Sequence, residues 1–356
     1  MSALEPNAGV NFGRPVRVIR LFGETLSQRV DVKACIICMV LLALALIVAL
    51  VSLASGDFRV PLPDVIQVLL GQAEPRVHMV VVEWRLPRTA LALLLGAALG
   101  IAGAIFQSLT RNPLGSPDII GFDAGSYTGA LIVITLLGGS YFAIAGGALL
   151  GGLVTAGVVY LLAYRRGVQG FRLIIVGIGV SAMLTSLNTW MLLRADLEVA
   201  MAAAMWGAGS LNGLGLDRLA YAGLLLLMLI PLAVVMSRPM AQLELGDDAA
   251  RALGVNAERN RLVLLVVGVA LTATVTATAG PIGFVALSAP QLARRLAGSA
   301  GVAMLPSAAM GALLLAAADY VAQRAFAPTQ LPVGIVTVSL GGIYFAWLLL
   351  REARRQ

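Results

Sequence analysis

The stretch QLELGDDAARALGVNAERNR, from Gln242 to Arg261, is a strongly charged interruption in a chain that is otherwise mostly apolar. Its first part predicts a short helix, because Asp247 can cap it, Arg251 can pair with Asp247 four residues away, and Gly254 can end it in the left-handed conformation. Asn256 then predicts the first turn of a long apolar helix. We therefore expect this stretch to lie in water at the edge of a membrane.

Two interpretations of the short helix remain open from the residues alone. Ala249, Ala250 and Leu253 fall at positions i, i+1 and i+4, which predicts a small apolar face opposite the charged residues. A solvated helix within a loop is the commoner outcome for such a sequence. The alternative is a helix that inserts its apolar face into a partner protein.

The composition places the chain in the membrane class. Of its 356 residues, 59% are hydrophobic and only 12% are charged. The net charge of +7 does not indicate nucleic-acid binding, because the basic residues are scattered among apolar segments with little aromatic interleaving. Cys35 and Cys38 begin an apolar run, where packing thiols are commoner than a redox or metal pair. His78 is the only histidine, which excludes a multi-histidine site, and we expect no metal site.

Uncharged runs long enough to cross about 30 Å of hydrocarbon predict ten transmembrane helices. Glycine and serine at 138–140 divide one long run into a hairpin, and GPIG at 280–283 divides another. We expect residues 55–84 to lie outside the membrane, and we expect a short surface helix between spans five and six. The predicted spans are 34–54, 89–110, two within 124–164, 173–193, 219–237, two within 262–293, 304–321, and the second half of 325–350.

The charge distribution predicts the orientation. With these spans, 18 of the 25 Lys and Arg residues fall on the side of the two termini and 7 on the other. Basic loops favour the cytoplasm, so we expect both termini inside. Residues 1–33 are then a cytoplasmic tail, and residues 34–356 are a single transmembrane domain.

The order of the spans also predicts an internal repeat. Spans two to five and spans seven to ten each begin with a long span and continue into a loop rich in Gly and Pro, RNPLGSPDIIG in the first half and AGPIGFVAL in the second. The two halves would be inverted relative to each other, as in many transporters.

If this chain transports a solute actively, the energy has to come from a partner protein or from an ion gradient. Lys33 is the only lysine and follows no glycine-rich loop, so a GxxxxGK[ST] phosphate-binding loop is impossible in this chain. A secondary carrier would keep ionisable residues inside its spans to bind a coupling ion. Here the spans are nearly bare of them, since Asp118 and Asp123 read as loop residues and Asp319 as a helix-end charge. A carrier that works alone is therefore the weaker hypothesis.

Four segments resemble a known family. WRLPRTALALLLGAALGIAGAIFQSLTRNPLGSPDIIGF, LGDDAARALGV, GPIGFVALSAPQLARR and LPVGIVTVSLGGIYFAWLLL are similar to the permeases of iron-siderophore and cobalamin ABC importers, the FecCD type. Within that family the likeness is greatest to ferric-enterobactin permeases. The resemblance implies an all-α permease of the type II importer fold in the bacterial inner membrane. A second, related but different permease chain, two ATPase subunits that bind the ATP, and a periplasmic binding protein would complete it.

The resemblance also implies a cargo and site residues. A ferric siderophore of the catecholate type, enterobactin-like, is expected, with cobalamin, haem and hydroxamate siderophores as alternatives. Arg85, Arg88 and Arg324 would meet carboxylates of the binding protein, although Arg85 and Arg88 could instead anchor span two in lipid headgroups. The translocation path would include Gln107, Asn188, Gly170 and Phe171. Coupling helices at about 243–260 would contact the ATPase through Leu243, Glu244, Gly246, Asp247, Ala249, Ala250, Leu253 and Gly254.

Overall fold

The structure is a computed structural model that describes residues 16–21, 26–56, 58–72, 74–164, 170–299 and 301–353. A short antiparallel hairpin comes first and pairs Val16–Leu21 (β1) with Leu26–Asp31 (β2). The sequence did not predict this hairpin. The predictions for the remainder of the tail, for the loop 165–169 and for the C-terminal residues 354–356 lie outside the described residues.

Helices make up nearly all of the remaining described chain. Asp31 caps the first of them, since its carboxylate accepts the N–H groups of Lys33 and Ala34. The helices are α1 (Val32–Ala54), α2 (Leu62–Leu69), α3 (Pro75–His78), a π-helical segment (Met79–Arg85), α4 (Leu86–Thr110), α5 (Phe122–Ile132) with a π-helical end (Val133–Leu137), α6 (Tyr141–Ala163), α7 (Gly170–Arg194), α8 (Leu197–Gly207), α9 (Leu216–Val235), α10 (Ser237–Glu244), α11 (Asp247–Ala252), α12 (Ala257–Ala279), α13 (Val285–Ala297), α14 (Met304–Arg324) and α15 (Val333–Ala353).

The predicted set of about ten spans is confirmed. Within the described residues, seven helices are long and apolar enough to cross a membrane. Helices α5, α13 and α15 lie where the other three spans were predicted. The two predicted breaks are also present, with left-handed glycines at Gly138 and Gly280, and α8 is the predicted short helix between spans five and six.

The predicted start of the second span at residue 89 was too late. Residues 62–69 form α2, and a continuous helical run from Pro75 passes through the π-helical segment into α4. Proline is favourable in the first turn of a helix, and the apolar residues after His78 continue it. The charges at Glu83, Arg85 and Arg88 made the span look shorter than it is.

The centre of the bundle consists of α4, α12 and α14, while α1, α7 and α9 are largely exposed in the single chain. Glycines let α4 and α14 meet backbone to backbone. A Cβ on Gly96 would overlap the carbonyl of Gly311, and a Cβ on Gly100 would overlap that of Ser307. Small residues at such contacts are the usual way in which membrane helices pack closely.

Two connecting segments fold back into the bundle. Residues 111–121 return from the end of α4, so that Ile120 and Gly121 pack against Gly177 near the middle of α7. Residues 280–284 return from the end of α12, and the N–H of Phe284 donates to the Asp118 carboxylate at 3.1 Å. The two segments therefore meet inside the bundle. Below, the end that carries α10 and α11 is called the α10 end, and the opposite end is called the α8 end.

Candidate functional site

The α10 end carries the charged stretch with which the sequence analysis began. Gly246 joins α10 to α11 with a φ of +115°, and Gly254 follows α11 with a φ of +83°. Asn256 caps α12, because its side-chain oxygen accepts the N–H of Arg259 at 3.0 Å. The predicted short helix, its glycine stop and the cap of the next helix are all confirmed.

The predicted role of Asp247 as helix cap was wrong. Gly246 occupies the cap position, and the Asp247 carboxylate instead accepts Arg261 at 2.7 Å and Arg111 at 2.8 Å. Arg111 also donates to the carbonyl of Leu243, so one aspartate ties the end of α4, the α10–α11 turn and the start of α12 together. Arg251, the predicted partner, lies 3.5 Å from Asp248 instead. Two better-placed arginines from other helices compete successfully for Asp247.

The protonation of Asp247 reflects these contacts. Partial burial by itself would raise the pKa of Asp247, but the hydrogen bonds and charges of Arg261 and Arg111 outweigh the burial and hold the pKa below its ordinary value. The carboxylate is therefore ionised at neutral pH, and its negative charge holds Arg261 and Arg111 together.

The predicted apolar face of α11 is only partly exposed. Ala250 is fully buried against its own chain, as is Leu243 in α10, whereas Ala249 and Leu253 are exposed. Glu244 is also engaged inside the chain, where it accepts the N–H of Val302 at 3.4 Å. Leu245, which the sequence analysis missed, is exposed between the two helices. A large apolar residue between Glu244 and Gly246 was the signal that could have identified it.

At the α8 end, Arg88 forms a buried ion pair. Its guanidinium donates to both carboxylate oxygens of Asp319, at 2.8 to 3.1 Å, and also to Gln330 at 2.7 Å. Gln323 donates to the same carboxylate at 2.8 Å. The Arg88 and Asp319 side chains are 12% and 2% exposed. Arg88 is thus engaged within its own chain, and Asp319 is a buried ion-pair partner and not the helix-end charge that the sequence indicated.

Arg85 is held inside the chain as well. Its guanidinium donates to the carbonyl of Leu53 at 2.8 Å and to that of Phe58. These contacts fasten the end of α1 and the segment after it to the start of α4. Charge-assisted bonds to carbonyls that no helix satisfies explain why this arginine turns inward.

Arg324 lies in a different setting at the same end. It lines a cavity of about 520 Å³ together with Arg59 and Tyr320. Arg59 is exposed and Arg324 is partly exposed, and neither has an ion-pair or hydrogen-bond partner in the described part of the chain. Arg59 was not among the predicted residues, because its position in a proline-rich segment gave no signal.

The predicted path residues do not form one surface. Gln107 is buried, and its amide donates to the carbonyl of Leu287 at 2.9 Å, which bridges α4 and α13. Asn188 is also buried, with its amide 3.5 Å from the carbonyl of Ala124. Gly170 packs against the backbone of Thr110, and Phe171 is exposed at the start of α7. Gln107 and Asn188 thus serve as bridges between helices.

The sequence analysis missed a small, hydroxyl-bearing face on α7. Gly179, Ala182, Ser186 and Thr189 are exposed and follow helical spacing along the span. The hydroxyls of Ser186 and Thr189 each donate at 2.9 Å to the carbonyl four residues earlier, so they are satisfied within the helix. The spacing of small and hydroxyl residues in the sequence could have identified this face.

Membrane helices around a tightly packed centre, with a charged helical pair at one end, define a multi-pass membrane transport subunit. The chain belongs to the FecCD transport family, whose model matches residues 42–351. It is a permease subunit of an ABC importer, a transport component and not an enzyme, and this class implies ATPase and substrate-binding partners. The hypothesis of a carrier that works alone was therefore wrong.

Curated relatives and a solved structure agree with this assignment. The chain is 50% identical over 321 residues to the ferric enterobactin transport system permease protein FepG of Escherichia coli (strain K12), across 90% of this chain and 97% of that protein. It is 36% identical over 328 residues to the iron(3+)-hydroxamate import system permease protein FhuG of Bacillus subtilis (strain 168), across 90% and 98%. An inward-facing metal-chelate type ABC transporter superposes with a TM-score of 0.80 at 28% identity, covering 89% of this chain and 99% of that one.

Proposed function

We propose that this permease moves a ferric siderophore of the catecholate type, enterobactin-like, from the periplasm to the cytoplasm across the bacterial inner membrane. The observation that carries the proposal is the 50% identity, over almost the whole chain, to a protein named for ferric enterobactin. Relatives named for hydroxamate or ferric citrate are 36% and 34% identical. We also propose that the α10 end and both termini lie in the cytoplasm and that the α8 end faces the periplasm.

The passage is proposed to run along the exposed small face of α7, against a second permease chain that is related but different. A bulky anionic chelate needs a wide surface without fixed cations that would hold it. Between its end turns α7 carries no charged residue, and its hydroxyls are satisfied within the helix. Phe171, at the start of that face, lies at the cytoplasmic exit.

The cytoplasmic partner surface is proposed to consist of Leu245, Ala249 and Leu253, which form the exposed apolar part of the α10–α11 pair. Exposed apolar side chains on a short helix suit insertion into a groove of an ATPase. We expect Leu253→Asp to abolish ATPase association and uptake without loss of folded protein, because it places a charge in that groove. Leu216→Asp, at the opposite end, is the matched control. Normal association of Leu253→Asp would show that another surface docks the ATPase.

The periplasmic partner surface is proposed to include Arg324 and Arg59. Two guanidiniums that have no partner among the described residues lie around one cavity and form a site for an acidic side chain of the binding protein. Arg85 and Arg88 are engaged inside the chain and support this surface only indirectly. We expect Arg59→Glu with Arg324→Glu to weaken docking, while Arg76→Glu, an exposed arginine at the same end, leaves it unchanged. Undiminished docking by the double variant would remove both arginines from the interface.

The cargo is tested by uptake in cells that lack only this subunit. Labelled iron presented as a ferric catecholate should no longer accumulate, whereas a ferric hydroxamate, haem and cobalamin should still enter. Retained catecholate uptake together with loss of another cargo would overturn the assignment of the cargo while leaving the importer class intact.

A further inference from the structure

The two cysteines of the chain lie together at the start of the first span, where the sequence had indicated ordinary packing thiols. α1 begins at Val32, so Cys35 and Cys38 occupy its first two turns. Both thiols are free, and Cys35 is exposed while Cys38 is partly exposed. A cysteine that only fills space between helices is normally buried, so packing does not account for Cys35.

Helical spacing brings these two side chains within reach of one ion. Residues three apart on a helix are neighbours, with about 5–6 Å between their Cβ atoms. Two thiolates on one metal ion stand at most about 4.6 Å apart, because each metal–sulfur bond is about 2.3 Å long. Cys35 and Cys38 are three residues apart on α1, so their sulfur atoms can hold one ion between them.

One cavity receives both thiols and two thioethers. The cavity has a volume of about 560 Å³ and lies between the start of α1, the end of α9 and the start of α14. Its lining includes Cys35, Cys38, Met39 and Met304, and most of the remaining wall is apolar. Four side chains that carry sulfur therefore border one space.

The packing of α1 on α14 places Met304 at the depth of Cys35. The starts of both helices line this cavity and their ends line another, so the two helices run in the same direction. Leu41 of α1 shares a buried cluster with Met310 of α14. Six residues earlier, the same two helices carry Cys35 and Met304. Met304 is 5% exposed, so its thioether belongs to the protein interior beside the thiols.

These donors select a soft ion that needs few ligands. Thiolate and thioether sulfur favour Cu(I) among the transition-metal ions, and two or three such ligands satisfy it. A structural zinc ion takes four ligands, usually from Cys, His, Asp and Glu. No group of three or more of these four residue types that could hold a metal occurs in the part of the chain that the structure describes. Cu(I) therefore fits the cavity better than zinc does.

We propose that Cys35 and Cys38, with Met304 as a third donor, form a binding site for one Cu(I) ion at the α10 end. Binding replaces the two thiol protons with one Cu(I), so two protons are released and the complex carries a net charge of −1. Lys33, exposed two residues before Cys35, supplies positive charge nearby. The site departs from the sequence expectation that this chain holds no metal.

The test uses the purified permease, freed of metal and kept reduced under anaerobic conditions. Cu(I) is offered as its bicinchoninate complex in the presence of excess glutathione, which removes loosely bound copper. The unaltered protein should withdraw one Cu(I) per chain, and X-ray absorption at the copper edge should show three sulfur neighbours. Added Zn(II) should not displace the copper.

Three variants locate the ion. Cys35→Ser and Cys38→Ser should each abolish the withdrawal of Cu(I), because a single thiolate does not compete with glutathione. Met304→Leu conserves the volume of the side chain and should lower the number of sulfur neighbours from three to two. Met310→Leu, on the same helix but outside the lining of the cavity, is the matched control and should change neither quantity.

Three results would overturn the proposal. One is a failure of the unaltered protein to withdraw Cu(I), a measurement that does not depend on the folding of any variant. Another is equal withdrawal by a variant that lacks both cysteines, since the copper would then be bound adventitiously elsewhere. The third is displacement by Zn(II), which would indicate a zinc site. Three sulfur neighbours retained in Met304→Leu would overturn the assignment of Met304 as a ligand. The proposed passage and cargo do not depend on this site.

Discussion

Asp319 and Asp247 perform the same task at opposite ends of the molecule in different surroundings. Each carboxylate gathers arginine from a distant part of the chain, Arg88 in one case and Arg111 with Arg261 in the other. The Asp319 side chain is 2% exposed, whereas that of Asp247 is 35% exposed. Similar geometry therefore has unequal consequences, because water reaches the carboxylate of Asp247 and not that of Asp319.

The largest effect is expected from Arg88→Ala. The substitution leaves Asp319 buried without its counter-charge, and breaking a buried pair from one side costs about 3–5 kcal/mol. We expect a marked fall in the melting temperature of the purified protein in detergent. Arg88→Met combined with Asp319→Leu removes both charges and should recover much of the loss. A melting temperature close to that of the unaltered protein for Arg88→Ala alone would show that the pair is not buried in the membrane.

A smaller effect is expected from Arg261→Ala. Asp247 keeps Arg111 as a partner and is partly solvated, so the loss should be about 1 kcal/mol and should shrink as salt is added. Arg251→Ala breaks only the exposed contact with Asp248 and should leave the melting temperature unchanged. A fall for Arg261→Ala as large as that for Arg88→Ala would mean that the two ends do not differ.

The smallest effect concerns pH and is confined to the Asp247 junction. Because folding lowers the pKa of Asp247, the junction contributes its full stability above the ordinary aspartate pKa of about 3.9 and loses it as the pH falls through the lower folded value. The difference in melting temperature between the unaltered protein and Asp247→Asn should therefore be constant near neutrality and narrow only below about pH 4. A difference that already narrows between pH 7 and pH 5 would contradict the lowered pKa.

The helices and their breaks could be predicted from the sequence because their causes are local. Hydropathy over about twenty residues marks a span, and Gly138, Gly280 and Asn256 mark ends through their own backbone or side-chain chemistry. The sequence predicted that the second span begins at 89 and not at 75, because Glu83, Arg85 and Arg88 were taken as its boundary. Arg88 pairs with Asp319 and Arg85 bonds the carbonyls of Leu53 and Phe58, and no local pattern reveals these partners.

The site residues were harder to predict because their partners are remote in the chain. Arg88 and Asp319 are 231 positions apart, and Asp247 pairs with Arg111 from another helix in preference to Arg251 from its own. The burial of Ala250 likewise depends on what packs above α11, which periodicity cannot supply. The resemblance to the family located the right segments, and the three-dimensional contacts then reassigned individual side chains within them.

The glycine contact between α4 and α14 has a mechanical consequence. With backbones touching at Gly96 and Gly100, no layer of side chains remains that could re-pack, and a slide of one residue, about 1.5 Å, would drive a carbonyl into a Cα. The two helices should therefore move together as one rigid unit during the transport cycle. Gly100→Ala would add one methyl group at this contact, force α4 and α14 apart, and make the pair less rigid.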